Sequence, residues 1–248
     1  MLTQKDWNRI NYITLIIHSE KNMDDMRMHF FEAVEVLIPY EKAMFYLVDD
    51  EANKIKLKDP IFINVDERFA KTYEIVVEKF HYGRVAMSTR RTMSFNDSEM
   101  LEGKQRESSD MYMAFMKPNN IPFGAGIIIA DQGKVTAEIS FFRTDKQGDF
   151  TSREMKILDI LKDHLEIRIN GAVESQNENT QKKTKLIDSG LTQREIEIAG
   201  LVHLGKSADE ISEDLDISKF TVRRHLHNVY SKLDISGRME LISLMNKM

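Results

Sequence analysis

The sequence predicts two domains: an α/β domain over residues 1–172, with an antiparallel sheet flanked by helices, and a small all-α domain of four helices over residues 187–248. Three observations predict this division. Two apolar runs, Gly126–Ala130 and Thr136–Phe142, are joined by Asp131-Gln132-Gly133, a hairpin signal that places an antiparallel sheet in the first domain. The stretch AVESQNENTQKKTKLIDSG, residues 172–190, is polar and shows no apolar period before Leu186, so 173–190 reads as a linker. Beyond it, caps and apolar stripes at helical spacing recur without any strand-like alternation.

In chain order, MLTQKDWNRINYITLIIHSE carries charges at both ends around a short apolar stretch, which does not fit a signal peptide. Met26 to Leu37 places Phe30, Val34 and Leu37 at helical spacing, and Pro39 ends the helix. Ala43–Val48 reads as a strand, and Asp49-Asp50-Glu51-Ala52-Asn53 as a hairpin turn into Lys54–Leu57. Residues 67–80 read as helical, and 84–117 give no clear pattern. After the 131–133 hairpin, Thr151-Ser152-Arg153-Glu154 opens a helix with Leu158, Leu161, Leu165 and Ile169 on one face.

The chain has 248 residues and no cysteine, so disulfides, thiolate metal sites and cysteine nucleophiles are excluded. That composition fits a cytoplasmic protein, and no run approaches the roughly 20 apolar residues of a membrane span. The net charge of −5 argues against a protein that coats nucleic acid without specificity. No Gly-rich phosphate loop and no Ser/His/Asp arrangement occurs, so no enzymatic activity and no catalytic residue is expected, and no cofactor is evident. His225 and His227 lie two apart, on different sides of a helix, and His81 has no supporting neighbour, so no metal or haem site is expected.

Charge in the C-terminal domain is segregated. Thr192-Gln193-Arg194-Glu195 and Ser207-Ala208-Asp209-Glu210 are capping boxes that open two helices. Gly205 sits where a helix can end in a left-handed residue. Ser218 caps a third helix, in which Val222, Leu226, Val229 and Leu233 form the buried stripe. Its other side presents Arg223, Arg224, His227 and Ser231. Ser218–Lys232 contains no acidic residue, whereas Ser207–Asp216 contains no basic one. A helix fits the DNA major groove, where arginine reads guanine through two hydrogen bonds.

These residues carry a resemblance. Leu191-Thr192, Arg194-Glu195, Gly205, Ser207, Glu210-Ile211, Leu215, Ile217-Ser218, Thr221-Val222, His225, Asn228, Lys232-Leu233 and Arg238 together resemble the LuxR-type (GerE-like) helix-turn-helix domain. The resemblance implies a transcription regulator that binds double-stranded DNA, with the third helix in the major groove. Arg223, Arg224 and His227 would then face bases, and Lys206, Ser207, Thr221 and Arg238 would meet phosphates. RNA polymerase is a further candidate partner. The pair Arg223-Arg224 stands where members often have one basic residue beside an apolar one.

The first domain resembles the GAF fold through its helix, Pro39, two opening strands, closing hairpin and Phe150-Thr151-x-x-Glu154 before a long helix. Two alternatives fit less well. Asp49-Asp50 or Asp97 would serve a response-regulator receiver, but a helix precedes the acidic pair and no apolar strand leads into Asp97. A homoserine-lactone quorum-sensing domain resembles a pocket built around several tryptophans, and this chain has only Trp7.

Residues 87–116 hold six methionines together with Phe95, Tyr112 and Phe115. Methionine adapts to irregular apolar ligands, which makes these three aromatics the candidate lining of a small-molecule pocket. A homodimer is expected. Ile157, Ile160 and Ile167 lie off the leucine stripe of their helix, and Leu241, Ile242, Leu244 and Met245 make the last helix apolar on more than one side.

Overall fold

The computed structural model describes residues 1–51, 54–79, 90–100 and 103–247. The contacts divide it into two units, Met1–Val173 and Glu174–Met248. Ala52, Asn53, His81 and Met87, which figured in the expectations above, lie outside the described residues.

The first unit opens with a helix that sequence reading passed over. In α1 (Gln4–Ser19), Thr3 accepts from the Asp6 amide and Asp6 accepts from the Thr3 amide, a capping box built with aspartate. Ile10, Ile13 and Ile17 form its buried face. Helix α2 (Met23–Glu35) starts three residues before the expected Met26, because Asn22 caps it by accepting from the amides of Asp24 and Asp25.

Strands β1 (Lys42–Glu51) and β2 (Lys54–Ile63) form the first hairpin and are longer than expected. Asp49, Asp50 and Glu51 belong to β1 rather than to a turn. Strand β2 runs through Pro60. It lies at the sheet edge, where a missing amide costs no ladder bond, and the register shifts beside it as Asp59 takes a φ of 46°. Next come α3 (Glu67–Lys79), β3 (Met93–Asn96), α4 (Asp97–Met100), α5 (Gly103–Glu107) and a π-helical turn at Tyr112–Met116. Strands β4 (Phe123–Asp131) and β5 (Lys134–Arg143) close the sheet. Gln132 and Gly133 both have positive φ, 46° and 78°, which is the turn the hairpin signal requires.

The sheet order is β2-β1-β5-β4-β3 with every pair antiparallel, the GAF-like architecture expected for this domain. A receiver needs a doubly wound parallel sheet, so that alternative is set aside. The two faces carry different cores. Ala137, Ile139 and Phe141 of β5 pack with Ile13, Phe30, Phe31, Leu158, Leu161 and Leu165 from α1, α2 and the long helix α6. Phe142 on the opposite face packs with Phe69, Tyr73, Phe115 and Met111.

Helix α6 (Ser152–Asp188) corrects the expected linker: the 173–190 stretch is helical as far as Asp188. Its polarity misled because no Gly or Pro interrupts 172–188, and Glu, Gln and Lys are good helix formers. A polar run of that kind is a solvated helix as readily as a loop. Of the expected dimer seam, Ile157 is fully buried in its own core, Ile160 is partly buried and Ile167 is 67% exposed. Among the described residues no helix is long and apolar enough to cross a membrane.

The second unit contains α7 (Gln193–His203), α8 (Ala208–Asp214), α9 (Lys219–Lys232) and α10 (Arg238–Lys247). Ile198, Val202, Ile211, Val222, Val229 and Leu241 form its core, joined by Leu186 near the end of α6. Leu241 and Met245 of the second seam are buried inside this core, with Ile242 packed against it.

Candidate nucleic-acid interface and sensor-domain pocket

Helix α9 is positioned at both ends. Ser218 caps it by accepting from the Thr221 amide at 3.1 Å, and Asp216 turns the preceding chain with a φ of 48°. At the far end Lys232 donates to Glu195 at 2.7 Å. Burial raises the Glu195 carboxyl, but the Lys232 and Thr192 hydrogen bonds outweigh this and hold it at about 2. Glu195 also completes the capping box of α7 with Thr192, so one carboxylate fixes the start of α7 against the end of α9.

Val222, Leu226 and Val229 face the core, and Leu233 is partly buried against it. This leaves Arg223, Arg224 and His227 together on the exposed side. Two other cations of the helix are engaged: Lys232 as above, and Lys219 with Asp209 at 2.8 Å. Among the described residues neither Arg223 nor Arg224 has an ion-pair partner. Phe220, 77% exposed in the first turn, is an apolar surface residue that sequence reading did not single out.

The four residues expected at phosphates have varied structural duties. Ser207 caps α8, and the Thr221 hydroxyl bonds with Ser218 at 2.8 Å. Lys206 pairs with Asp214 at the surface, an exchangeable contact. Arg238 donates to the carbonyls of Lys206 at 2.9 Å and Val202 at 3.4 Å, closing the C-terminal end of α7.

In the first unit, a cavity of about 20 Å³ lies on the sheet face that carries Phe142. A ligand-sized pocket is several hundred Å³, so the space at Phe95, Tyr112 and Phe115 is smaller than expected. Phe95 lines it. Phe115 is fully buried against Phe69, Tyr73 and Phe142, with ring centroids 4.7 to 5.7 Å apart. Tyr112 is partly buried under the Arg106 guanidinium, outside the described lining. Met100 and Met111 also line the cavity. Trp7 is on α1, half exposed and not part of the lining.

The cavity is more polar than expected. Glu138 of β5 and Asp97 of α4, each 4% exposed, both line it. Tyr73 donates to the Glu138 carboxylate, and Ser140 donates to the same oxygen at 3.2 Å. Burial pushes Glu138 up to about 7 against the lowering hydrogen bonds, with the Asp97 charge adding to the rise. Gly124 must stay bare, because a Cβ there would overlap the Asp97 carboxylate. Sequence reading missed Glu138, although a lone charge inside the apolar run VTAEISFF is a legible signal.

The family of bacterial regulatory proteins, luxR family, matches residues 189–245. The monoamine regulon transcriptional regulator of Klebsiella aerogenes is 27% identical over 213 residues, 86% of each chain. The HTH-type transcriptional regulator MalT of Vibrio campbellii is 43% identical over 54 residues, 22% of this chain and 6% of that one. The LBD domain of VqsR from Pseudomonas aeruginosa superposes with a TM-score of 0.51 at 9% identity, over 69% of this chain and 98% of that one.

Proposed function

We propose, from the premise that residues 189–245 are a LuxR-type helix-turn-helix domain, that this chain controls transcription by reading a specific DNA site through α9, under the control of its GAF-like domain. The observation that carries the reading is the pair of exposed, unengaged guanidiniums of Arg223 and Arg224 on a helix held at both ends. They and His227 meet base edges. Lys206, Ser207, Thr221 and Arg238 lie toward phosphates, Ser207 as the cap of α8 and Thr221 in the first turn of α9, which Ser218 caps. The similarity to a transcriptional regulator over 86% of both chains supports the two-domain reading.

The test begins with a binding site selected from random duplexes by the full chain. Arg224→Ala costs about 1–3 kcal/mol on that site and relaxes preference at one base pair. Lys206→Ala weakens all duplexes alike and lowers the slope of affinity against salt. An Arg224 variant that binds the selected site as tightly as the parent overturns the groove assignment.

The first domain serves as dimerisation surface and small-ligand sensor. Helices α1 and α6 are tied side by side by Asp6–Arg153 at 2.5 Å and by the ring nitrogens of His18 and His164, 3.1 Å apart. Tyr12, Leu15 and Ile167 are 55 to 67% exposed on these two helices, an apolar surface suited to a second copy. Sedimentation at micromolar concentration is expected to show a dimer of the 28.9 kDa chain, and Ile167→Glu to shift it toward monomer. A parent protein that sediments as a monomer, with footprints on a single half-site, sinks the dimer.

A further inference from the structure

We propose that the buried pocket of the first domain takes a small organic cation, a protonated amine whose ammonium group seats on Glu138 and whose body lies against Tyr73, Phe95 and Phe142. The inference rests on the reading of this domain as a sensor and names the class of compound sensed.

Glu138 is the starting point. One carboxylate oxygen accepts from Tyr73 and Ser140, while the other, Oε2, is buried with no hydrogen-bond partner. A buried carboxylate oxygen without a donor is costly, and such groups mark places where a ligand completes the bonding. Asp97 lines the same cavity and adds negative charge to it. Among the described lining residues there is no Lys, Arg or His. The ionised form of Glu138, with its free Oε2, is therefore matched by a cationic donor better than by an anion.

The remaining lining separates an organic cation from a metal ion. Hard metal ions take six or more oxygen ligands. The described residues contain no cluster of three or more metal-ligating side chains, and this cavity is walled by aromatic rings and methionines. Ring faces attract ammonium groups. The cavity of about 20 Å³ accommodates one group of about the size of a water molecule, which an ammonium head matches. The rest of an amine enters by displacing Met100 and Met111, unbranched side chains that repack at low cost.

Binding is coupled to protons. Tyr73 from α3, Asp97 from α4, Tyr46 from β1 and Ser140 on the same strand surround Glu138, and burial holds its carboxyl at about 7. The ammonium requires the ionised form, so binding strengthens from pH 6 to pH 8.

The experiment uses the full chain with four probes: 2-phenylethylamine, its neutral isostere 2-phenylethanol, the anion 3-phenylpropionate and an acyl-homoserine lactone. Calorimetric titration and melting temperature are read at pH 6 and pH 8. The amine is expected to bind and to raise the melting temperature, more so at pH 8, with the alcohol and the anion about 10- to 100-fold weaker, the worth of a charge-assisted hydrogen bond. Glu138→Gln is expected to lose the amine preference by a similar factor. If that variant does not fold, the amine-to-alcohol ratio on the parent decides alone. An alcohol, acid or lactone that binds as well as the amine overturns the cation and leaves the sensor reading standing. If none of the four binds, the cation proposal falls; the sensor reading falls only if native mass spectrometry of the chain purified from its source also shows no small molecule bound.

Discussion

Arg143→Met is expected to destabilise the first domain by about 3–5 kcal/mol, the cost of leaving one member of a buried ion pair alone. Arg143 ends β5 and is almost wholly buried. Its guanidinium meets Glu154 through two bonds, at 2.6 and 3.1 Å, and donates from Nε to the Pro39 carbonyl at 2.6 Å and from Nη1 to the Asp149 carbonyl at 3.1 Å. It also stacks over Phe150 at 4.1 Å. Glu154 in turn accepts from the Thr151 amide and hydroxyl at 2.8 Å each, which starts α6. One arginine therefore joins the end of the sheet, the turn after α2 and the first turn of the longest helix. Burial raises the Glu154 carboxyl, but Arg143 and Thr151 outweigh it and the net shift is downward. A depressed carboxyl stabilises the fold above its unfolded value and loses that contribution as pH falls through its folded value. The penalty of Arg143→Met is thus largest near neutrality and shrinks in acid, where Glu154 is protonated in either protein. Trp7, the single tryptophan, lies in α1 of the same unit, so its fluorescence in a urea titration reports this domain. A midpoint change worth less than about 1 kcal/mol at pH 7 shows that the pair is not a keystone. The double variant Arg143→Met, Glu154→Gln is expected to recover part of the loss, because no uncompensated charge remains.

Where local chemistry decided the structure, the chain was legible. The Thr192/Glu195 and Ser207/Glu210 boxes and the Ser218 cap form, and Val222, Leu226 and Val229 are buried, because caps and a 3.6-residue stripe are properties of a single helix. The Asp131-Gln132-Gly133 turn is equally local. What escaped depended on partners far along the chain. Helix α1 has a capping box with Asp6 in place of glutamate, and its isoleucines mean little until α2 and α6 cover them. Strand β2 runs past the expected Leu57 and through Pro60, which its position at the sheet edge makes tolerable. The polar stretch after residue 172 is helical for want of a breaker, a negative signal that composition hides. At the candidate pocket, methionine density drew attention to Phe95, Tyr112 and Phe115, of which only Phe95 lines the cavity. Glu138 was placed there by strand register: with Ala137 and Ile139 turned to the helical core, it faces the other side with Ser140 and Phe142.

That placement has a measurable consequence for the protein without ligand. In the unfolded chain Glu138 titrates near its ordinary value of 4.5, and in the native pocket burial lifts it to about 7. Below pH 4.5 the carboxyl is protonated in both states and does not affect the folding equilibrium. Between 4.5 and about 7 the native state holds a proton that the unfolded state has lost, so stability falls by about 1.4 kcal/mol for each pH unit. Above 7 the loss levels off at about 3 kcal/mol, the free energy of keeping an ionised carboxylate in the cavity beside Asp97. Glu138→Gln removes this titration while its amide oxygen still accepts from Tyr73. The variant is therefore expected to match the parent within about 1 kcal/mol at pH 4.5 and to exceed it by about 3 kcal/mol at pH 8. Differences between the two proteins isolate Glu138, because every other group titrates in both. Urea titrations followed by Trp7 fluorescence at half-unit steps from pH 4.5 to 8.5 give the difference curve. A flat curve means that Glu138 ionises in the native protein as it does in water, and a variant less stable than the parent at pH 8 means that the carboxylate is a favourable part of the empty pocket.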